Sequence, residues 1–347
     1  MVGFFAGVVG ELWVNGFLLP DPYLNFKSYS DLSSKIDDLI TTSDSSKNLN
    51  SEDMRIAQPI NKVEPSLVSV YRYKKLDNDS FLTEGDYLGK GVFVTNDGWV
   101  MTNFIVAQNE NVKYYIVDHD HNIYESESIL ADEKSNSVFL KISANNFSVA
   151  EFALKNDIVE GQNVLLFGRD NEIVVRNIKD FNYSDSAEKG FIHTSEAFYK
   201  FLTIENSFGD SFVASPVFNF DGKMVGMLHD STGVVMPVDY LLPILRNIKK
   251  EAFVWPYLGL RYYDLSEVLS TEFDKKKGVL IAKSGILFNS PAKGILKVGD
   301  IIVKIENEEI NQNKSLPELV NQYQVGDSIL MTVIRGEEEL VVEVVLD

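Results

Sequence analysis

Two stretches far apart in the chain constrain its fold more than anything else in it. Residues 89–106, GKGVFVTNDGWVMTNFIV, set an apolar run at 92–94 and another at 99–101 on either side of Asn96-Asp97-Gly98. Residues 211–227, SFVASPVFNFDGKMVGM, do the same around Phe220-Asp221-Gly222. Short apolar runs flanking an Asp-Gly pair read as β-hairpins, because glycine supplies the positive φ that such a turn needs. Further strand-like runs follow at 113–117, 123–128, 138–142, 163–167, 173–178 and 191–194, so the central part of the chain reads as all-β.

Both hairpins resemble those of the HtrA family of trypsin-like serine proteases. The family's first hairpin reads G-x-G-x-(I/V)-x-x-x-D-G-x-(I/V)-x-T-N-x-H-V, and its serine segment reads G-N-S-G-G-P-L-V-N-x-D-G-x-V-(I/V)-G. The likeness runs, with gaps, from VEPSLVSVYRYK at 63–74 through GVVMPVDYLLPIL at 233–245. It implies a mainly β fold in which residues 63–250 form a trypsin-like double six-stranded β-barrel. It also implies where a catalytic triad would sit. Counting from Thr102-Asn103, the histidine position holds Ile105. The family segment D-x-x-x-D-(I/L)-A-(L/V)-(I/L)-K corresponds to DEKSNSVFLK at 132–141, which puts Asn136 at the aspartate position. Counting back from Pro216, the serine position holds Val213, followed by Ala214 and Ser215.

A serine hydroxyl is a weak nucleophile at neutral pH and needs a base within hydrogen-bond reach. Isoleucine and valine supply neither a proton acceptor nor a nucleophilic atom, and losing any triad member typically leaves roughly 10³ to 10⁴ over water. Catalysis is therefore not expected from Ile105, Asn136 and Val213. One alternative stands beside this: Gly209-Asp210-Ser211 spells the nucleophile motif of the wider trypsin group. A two-residue insertion before Pro216 would make Ser211 the nucleophile, with His229 as the replacement base worth testing. Asp210 and Ser211 also suit a solvated turn. His119 and His121 flank Asp120 in a polar turn that reads as solvent-exposed rather than as a metal site, and His193 reads as a hydrogen-bonded, partly buried strand residue. No cofactor and no metal are expected.

A formal charge of −19, from 51 acidic against 32 basic residues, argues against a phosphate-backbone partner. Zero cysteines exclude disulfides, thiolate zinc and a cysteine nucleophile. Residues 2–19, within an N-terminal segment 1–22, are apolar except for Glu11 and Asn15. A run of about 18 residues is the lower end for a bilayer span, and a central Glu costs a few kcal/mol in lipid. The segment reads either as a membrane anchor or as a helix lying on a surface. The family resemblance favours the anchor, with the folded part facing the periplasm or cell exterior. Residues 23–62 read as a short helix at 30–41 followed by a polar linker.

Beyond a linker at 249–255 the chain changes character. Tyr257-Leu258-Gly259-Leu260 resembles the Y-(I/L)-G-(I/V/L) loop of an HtrA PDZ domain, and Gly294-Ile295-Leu296-Lys297-Val298-Gly299-Asp300 resembles that domain's G-(L/I)-x-x-G-D pattern, with one residue more between the glycines. The resemblance covers 256–347, with strands expected at 278–282 and 301–305, a helix opening at 290–292, a second at 315–323, and a closing hairpin at 328–334 and 339–346. Backbone N–H groups of the Tyr257–Leu260 loop would form a nest for a terminal carboxylate while the adjacent strand edge accepts an added strand. Peptide or unfolded-protein C-termini are the partners this implies. The expected protein is a membrane-tethered pseudoprotease working as scaffold, sensor or chaperone in extracytoplasmic quality control. An active endopeptidase using Ser211 is the alternative. HtrA-like domains commonly assemble as trimers, which makes a homo-trimer a third element of the expectation.

Overall fold

The computed structural model describes residues 51–76, 80–169, 172–183, 192–205, 207–212, 214–249, 253–268 and 277–347. The apolar N-terminal run, the helix expected at 30–41 and Val213 lie outside the described residues. No helix among those described is long and apolar enough to cross a membrane.

Helix α1 (Ser51–Val63) leads into a six-stranded closed barrel. Its strands are β1 (Leu67–Arg72), β2 (Tyr87–Phe93), β3 (Trp99–Asn103), β4 (Tyr114–Val117), β5 (Ile123–Asp132) and β6 (Ser137–Ile142), in the order β1-β2-β3-β6-β5-β4. The first hairpin is as expected: β2 and β3 pair antiparallel, and Gly98 turns between them at φ 95°. A Cβ on Gly98 would stand 2.8 Å from the Ile142 carbonyl oxygen, so a side chain there would strike the neighbouring strand. Val70, Val92, Phe93, Val100, Ile116, Val138, Phe139 and Leu140 are fully buried, and the consecutive ones among them show that β2 and β6 are covered on both faces. Burying each such side chain contributes about 1.5–3 kcal/mol, which is what closes the sheet on itself.

The next strands are β7 (Glu151–Phe152), β8 (Asn163–Phe167), β9 (Ile173–Tyr183), β10 (Ile192–Thr194), β11 (Phe201–Ile204), β12 (Pro216–Asn219), β13 (Lys223–Leu228) and β14 (Val234–Pro237). A second barrel forms from the order β12-β8-β9-β11-β14-β13, closed by the β12–β13 pairing, with β7 added parallel to β13. The second expected hairpin is β12–β13. Strand β10 departs from expectation. The sequence places 191–194 among the barrel strands, whereas β10 pairs with the first strand of the C-terminal sheet. A three-residue strand carries too little pattern to say which sheet will take it.

After helix α2 (Leu242–Asn247) the C-terminal sheet runs β10-β15-β16-β17-β19-β20, with β18 beside β17. Its strands are β15 (Leu260–Asp264), β16 (Val279–Ile286), β17 (Ile301–Ile305), β18 (Glu308–Glu309), β19 (Ser328–Arg335) and β20 (Glu338–Val345). Helix α3 (Leu316–Val320) covers this sheet with Leu316, Leu319 and Val320 buried. The helix expected to open at 290–292 is absent. Leu296 N–H reaches the Ala292 carbonyl across a single turn, and Gly294 inside it, at φ 87°, departs from helical backbone geometry.

Candidate functional site

The cleft between the barrels is where the family triad would stand. Asn103, buried at the end of β3, donates from Nδ2 to the carbonyls of Leu228 (3.0 Å) and His229 (3.2 Å), and its Oδ1 accepts from Ile105 N–H at 2.9 Å. This ties β3 to the end of β13 and fixes the strand that leads to Ile105. The Ile105 side chain is 56% exposed on the lip.

Asn136 sits in the turn between β5 and β6 at φ 49°, a left-handed conformation that asparagine tolerates. Its Nδ2 lies 2.7 Å from His229 Nδ1. The structure therefore brings an imidazole to the aspartate position, though from the end of β13 and not from β3. An amide N–H₂ is a donor, so Nδ1 accepts and the ring proton resides on Nε2. A general base needs the opposite tautomer, with Nδ1–H held by a carboxylate and Nε2 open to the nucleophile. Burial lowers the His229 pKa below its ordinary value against a smaller upward pull from Asp230, which keeps the ring neutral at neutral pH.

Ser211 and His229 bond to different partners. Residues Asp210–Phe212 wind into a 3₁₀ turn that ends with the Phe212 ring buried beside Phe208 in the second barrel. Ser211 Oγ donates to Glu172 Oε2 at 3.0 Å, at the surface. Phe212 N–H is engaged by the Gly209 carbonyl at 3.0 Å, so this donor is not free for an oxyanion. Ala214 keeps a left-handed φ of 56°, and Ser215 Oγ accepts from Phe167 N–H as part of the barrel. His193 lies on β10, stacked on Tyr199 and bonded through Nε2 to Glu267 at 2.9 Å. His121 closes the turn after Asp118 at φ 64°, with Asp118 accepting from Asn122 N–H.

In the C-terminal domain, Gly259 adopts φ 71°, and a Cβ there would stand 2.7 Å from the Tyr257 hydroxyl and 3.0 Å from Ser290 Cα. Only glycine fits this close approach. The backbone N–H groups of Leu258 and Gly259 converge on one acceptor, Glu196 Oε1, at 3.2 and 2.9 Å. The loop thus holds a carboxylate. Around it, residues from the barrel side enter the C-terminal domain: Tyr199 packs in its core and donates to Asp264 Oδ2 at 2.7 Å, and the buried Lys200 ammonium lies 2.7 Å from the same carboxylate. Burial alone would raise the Asp264 pKa, but Lys200, Ser266 and Tyr199 outweigh it and hold the group below the usual carboxylate range. Glu196, Tyr199, Lys200 and Asp264 carry no sequence signal of this role. They meet through tertiary packing, and no local spacing marks them.

The geometry defines a trypsin-like double barrel followed by a PDZ domain. Similarity to known proteins agrees domain by domain: the trypsin-like peptidase domain profile matches residues 89–227, and the PDZ domain profile matches 256–346. Probable periplasmic serine endoproteases of the DegP-like kind are similar over most of this chain. The one from a Marinomonas species is 25% identical over 279 residues, covering 75% of this chain and 57% of its own length. The one from Hahella chejuensis is 26% identical with the same coverages. The chain thus spans a little over half the length of these curated relatives. Among solved structures, the HtrA-type protease AlgW with a tripeptide superposes with a TM-score of 0.62 at 17% identity, over 84% of this chain and 96% of that one. The serine endoprotease from Yersinia pestis gives 0.53 at 17% identity over 84% and 96%. The chain is thus similar to HtrA-type proteases in both its trypsin-like and its PDZ domain, taken in this order.

Proposed function

We propose that this chain is a pseudoprotease of extracytoplasmic protein quality control, which recognises chain ends through its PDZ domain and does not hydrolyse them. The observation that carries the reading is the Asn136 amide on His229 Nδ1, which fixes the cleft imidazole in the tautomer unable to accept a serine proton. It is supported by Ile105 and Val213 at the histidine and serine positions and by the Ser211 hydroxyl, which serves Glu172. The residues of Tyr257–Leu260 would take a terminal carboxylate on the Leu258 and Gly259 N–H groups, with the edge of β15 accepting the peptide as an added strand. The relatives named as periplasmic proteases support an extracytoplasmic site of action, and an anchor at 2–19 and a homo-trimer complete the proposal.

A fluorophosphonate label on purified protein, alongside an unfolded casein digest, tests this directly. The expected result is no labelling and no cleavage. Labelling that is lost in Ser211→Ala would establish the endopeptidase instead.

A further inference from the structure

The loop assigned above to an incoming chain end is already bonded to a carboxylate of the chain itself. Glu196 Oε1 takes the Leu258 and Gly259 N–H groups. Beside it, Ser195 N–H donates to the Leu260 carbonyl at 3.0 Å, and Leu260 N–H donates to Ser195 Oγ at 2.9 Å. Upstream, β10 lies antiparallel to β15, with Thr194 opposite Arg261, His193 opposite Tyr262 and Ile192 opposite Tyr263. The polarity matters: β10 runs toward the loop, so its carboxylate arrives where the terminus of an added peptide strand would arrive.

The carboxylate is also held from its own side. Thr194 Oγ1 donates to Glu196 Oε2 and Ser195 Oγ to Oε1, both at 2.7 Å, so the group is oriented before it meets the loop. Ser195 is 1% exposed and β10 completes the sheet edge. An extended strand, an edge to pair with and a carboxylate in the N–H nest are the three elements of strand-addition recognition, all supplied within one chain.

We infer that residues 192–196 are an internal ligand that latches the PDZ groove shut, and that a peptide with a free C-terminal carboxylate enters only by stripping β10 from β15 and displacing Glu196. The incoming ligand rests on the peptide-binding reading above; the latch itself rests on the contacts between 192–196 and 258–263. An intramolecular competitor acts at an effective concentration that a free peptide must exceed, so the apparent dissociation constant is the intrinsic one divided by the unlatched fraction. The latch also has a route to the barrels. Two residues on, Phe198 stacks on Tyr240 with centroids 3.9 Å apart, and Phe201 stacks on His229 at 6.0 Å. Release of 192–196 therefore loosens the segment that packs against the cleft imidazole.

Two readouts on the full chain separate the latch from its ligand. In the first, amide hydrogen exchange at Leu258, Gly259 and Leu260 is compared between the wild type and Glu196→Ala, with Glu196→Gln as the conservative variant. The latch requires exchange at these amides to rise about tenfold or more in Glu196→Ala and less in Glu196→Gln, with the amides of the first barrel, β1 to β6, unchanged. Unchanged exchange at all three positions overturns it, whether or not any peptide binds. In the second, a fluorescent peptide ending in Ile-His-Thr-Ser with a free carboxylate is titrated against its C-terminal amide. Tighter binding of the carboxylate form by Glu196→Ala, about tenfold over wild type, is expected. Equal affinity for the two proteins overturns the competition. Raised exchange without peptide binding to either protein retains the latch and rejects the peptide-binding reading.

Discussion

At the residue scale, the cleft turns on one amide. Asn136 donates to His229 Nδ1, and this puts the ring proton on Nε2. Replacing Asn136 with Asp removes the donor and offers an acceptor, so the proton should move to Nδ1 and the His229 pKa should rise as a carboxylate favours the imidazolium. Imidazole ¹⁵N shifts followed through a pH titration would report both changes. No hydrolysis is expected to appear, because Ser211 remains with Glu172 and Val213 carries no hydroxyl. A His229 that titrates identically in both proteins would show that the pair does not hold in solution.

At the scale of elements, the segment from β10 to β11 belongs to two domains at once. Its strand pairs with β15, Tyr199 fills the PDZ core, and Lys200 neutralises Asp264 with both side chains essentially without solvent contact. Burying a lone carboxylate is costly, and breaking such a pair from one side typically costs about 3–5 kcal/mol. Lys200→Met keeps the volume and removes the charge. It should lower the stability measured by urea unfolding by an amount in that range. The loss should diminish as pH falls, since the orphaned Asp264, no longer held below its usual range, then takes up a proton in the folded state. A Lys200→Met protein as stable as wild type at neutral pH would remove the ion pair from the list of contacts that join these elements.

At the scale of the whole molecule, the barrels and the PDZ domain share polar contacts across their junction. Glu318 of α3 accepts from Tyr240 at 2.8 Å and lies 3.4 Å from Lys155 Nζ. Lys134, in the β5–β6 turn, donates to Asn321 at 2.9 Å and lies over the Trp255 and Phe198 rings. Burial lowers the Lys134 pKa to about 8, against the upward pull of Glu196 and Asp132. The unfolded chain binds this proton more tightly than the folded one, so between about pH 8 and the ordinary lysine value stability should rise with pH, recovering of the order of 3 kcal/mol. Below that window the penalty is present in full. Thermal unfolding midpoints of wild type and Lys134→Met, compared from pH 7 to 10, should converge as pH rises; parallel curves would contradict the shift.

Much of this molecule was legible in its residues. The Asp97-Gly98 and Asp221-Gly222 turns specified their hairpins because glycine there meets a local backbone demand. Periodic apolar runs specified most strands, and Leu258-Gly259-Leu260 specified the carboxylate nest because only glycine fits against Tyr257 and Ser290. Counting along a motif put Ile105 and Asn136 at the positions where the family motif has histidine and aspartate. By contrast, the partner of Asn136 lies 93 residues away, the sheet that takes β10 is chosen by an edge formed 65 or more residues later, and the carboxylate that fills the nest comes from Glu196. Local pattern encodes backbone geometry and burial, which depend on neighbours in sequence. Pairing between a lone polar group and a distant one depends on where the barrels and the PDZ sheet come to rest, and that is decided by the packing of the folded chain.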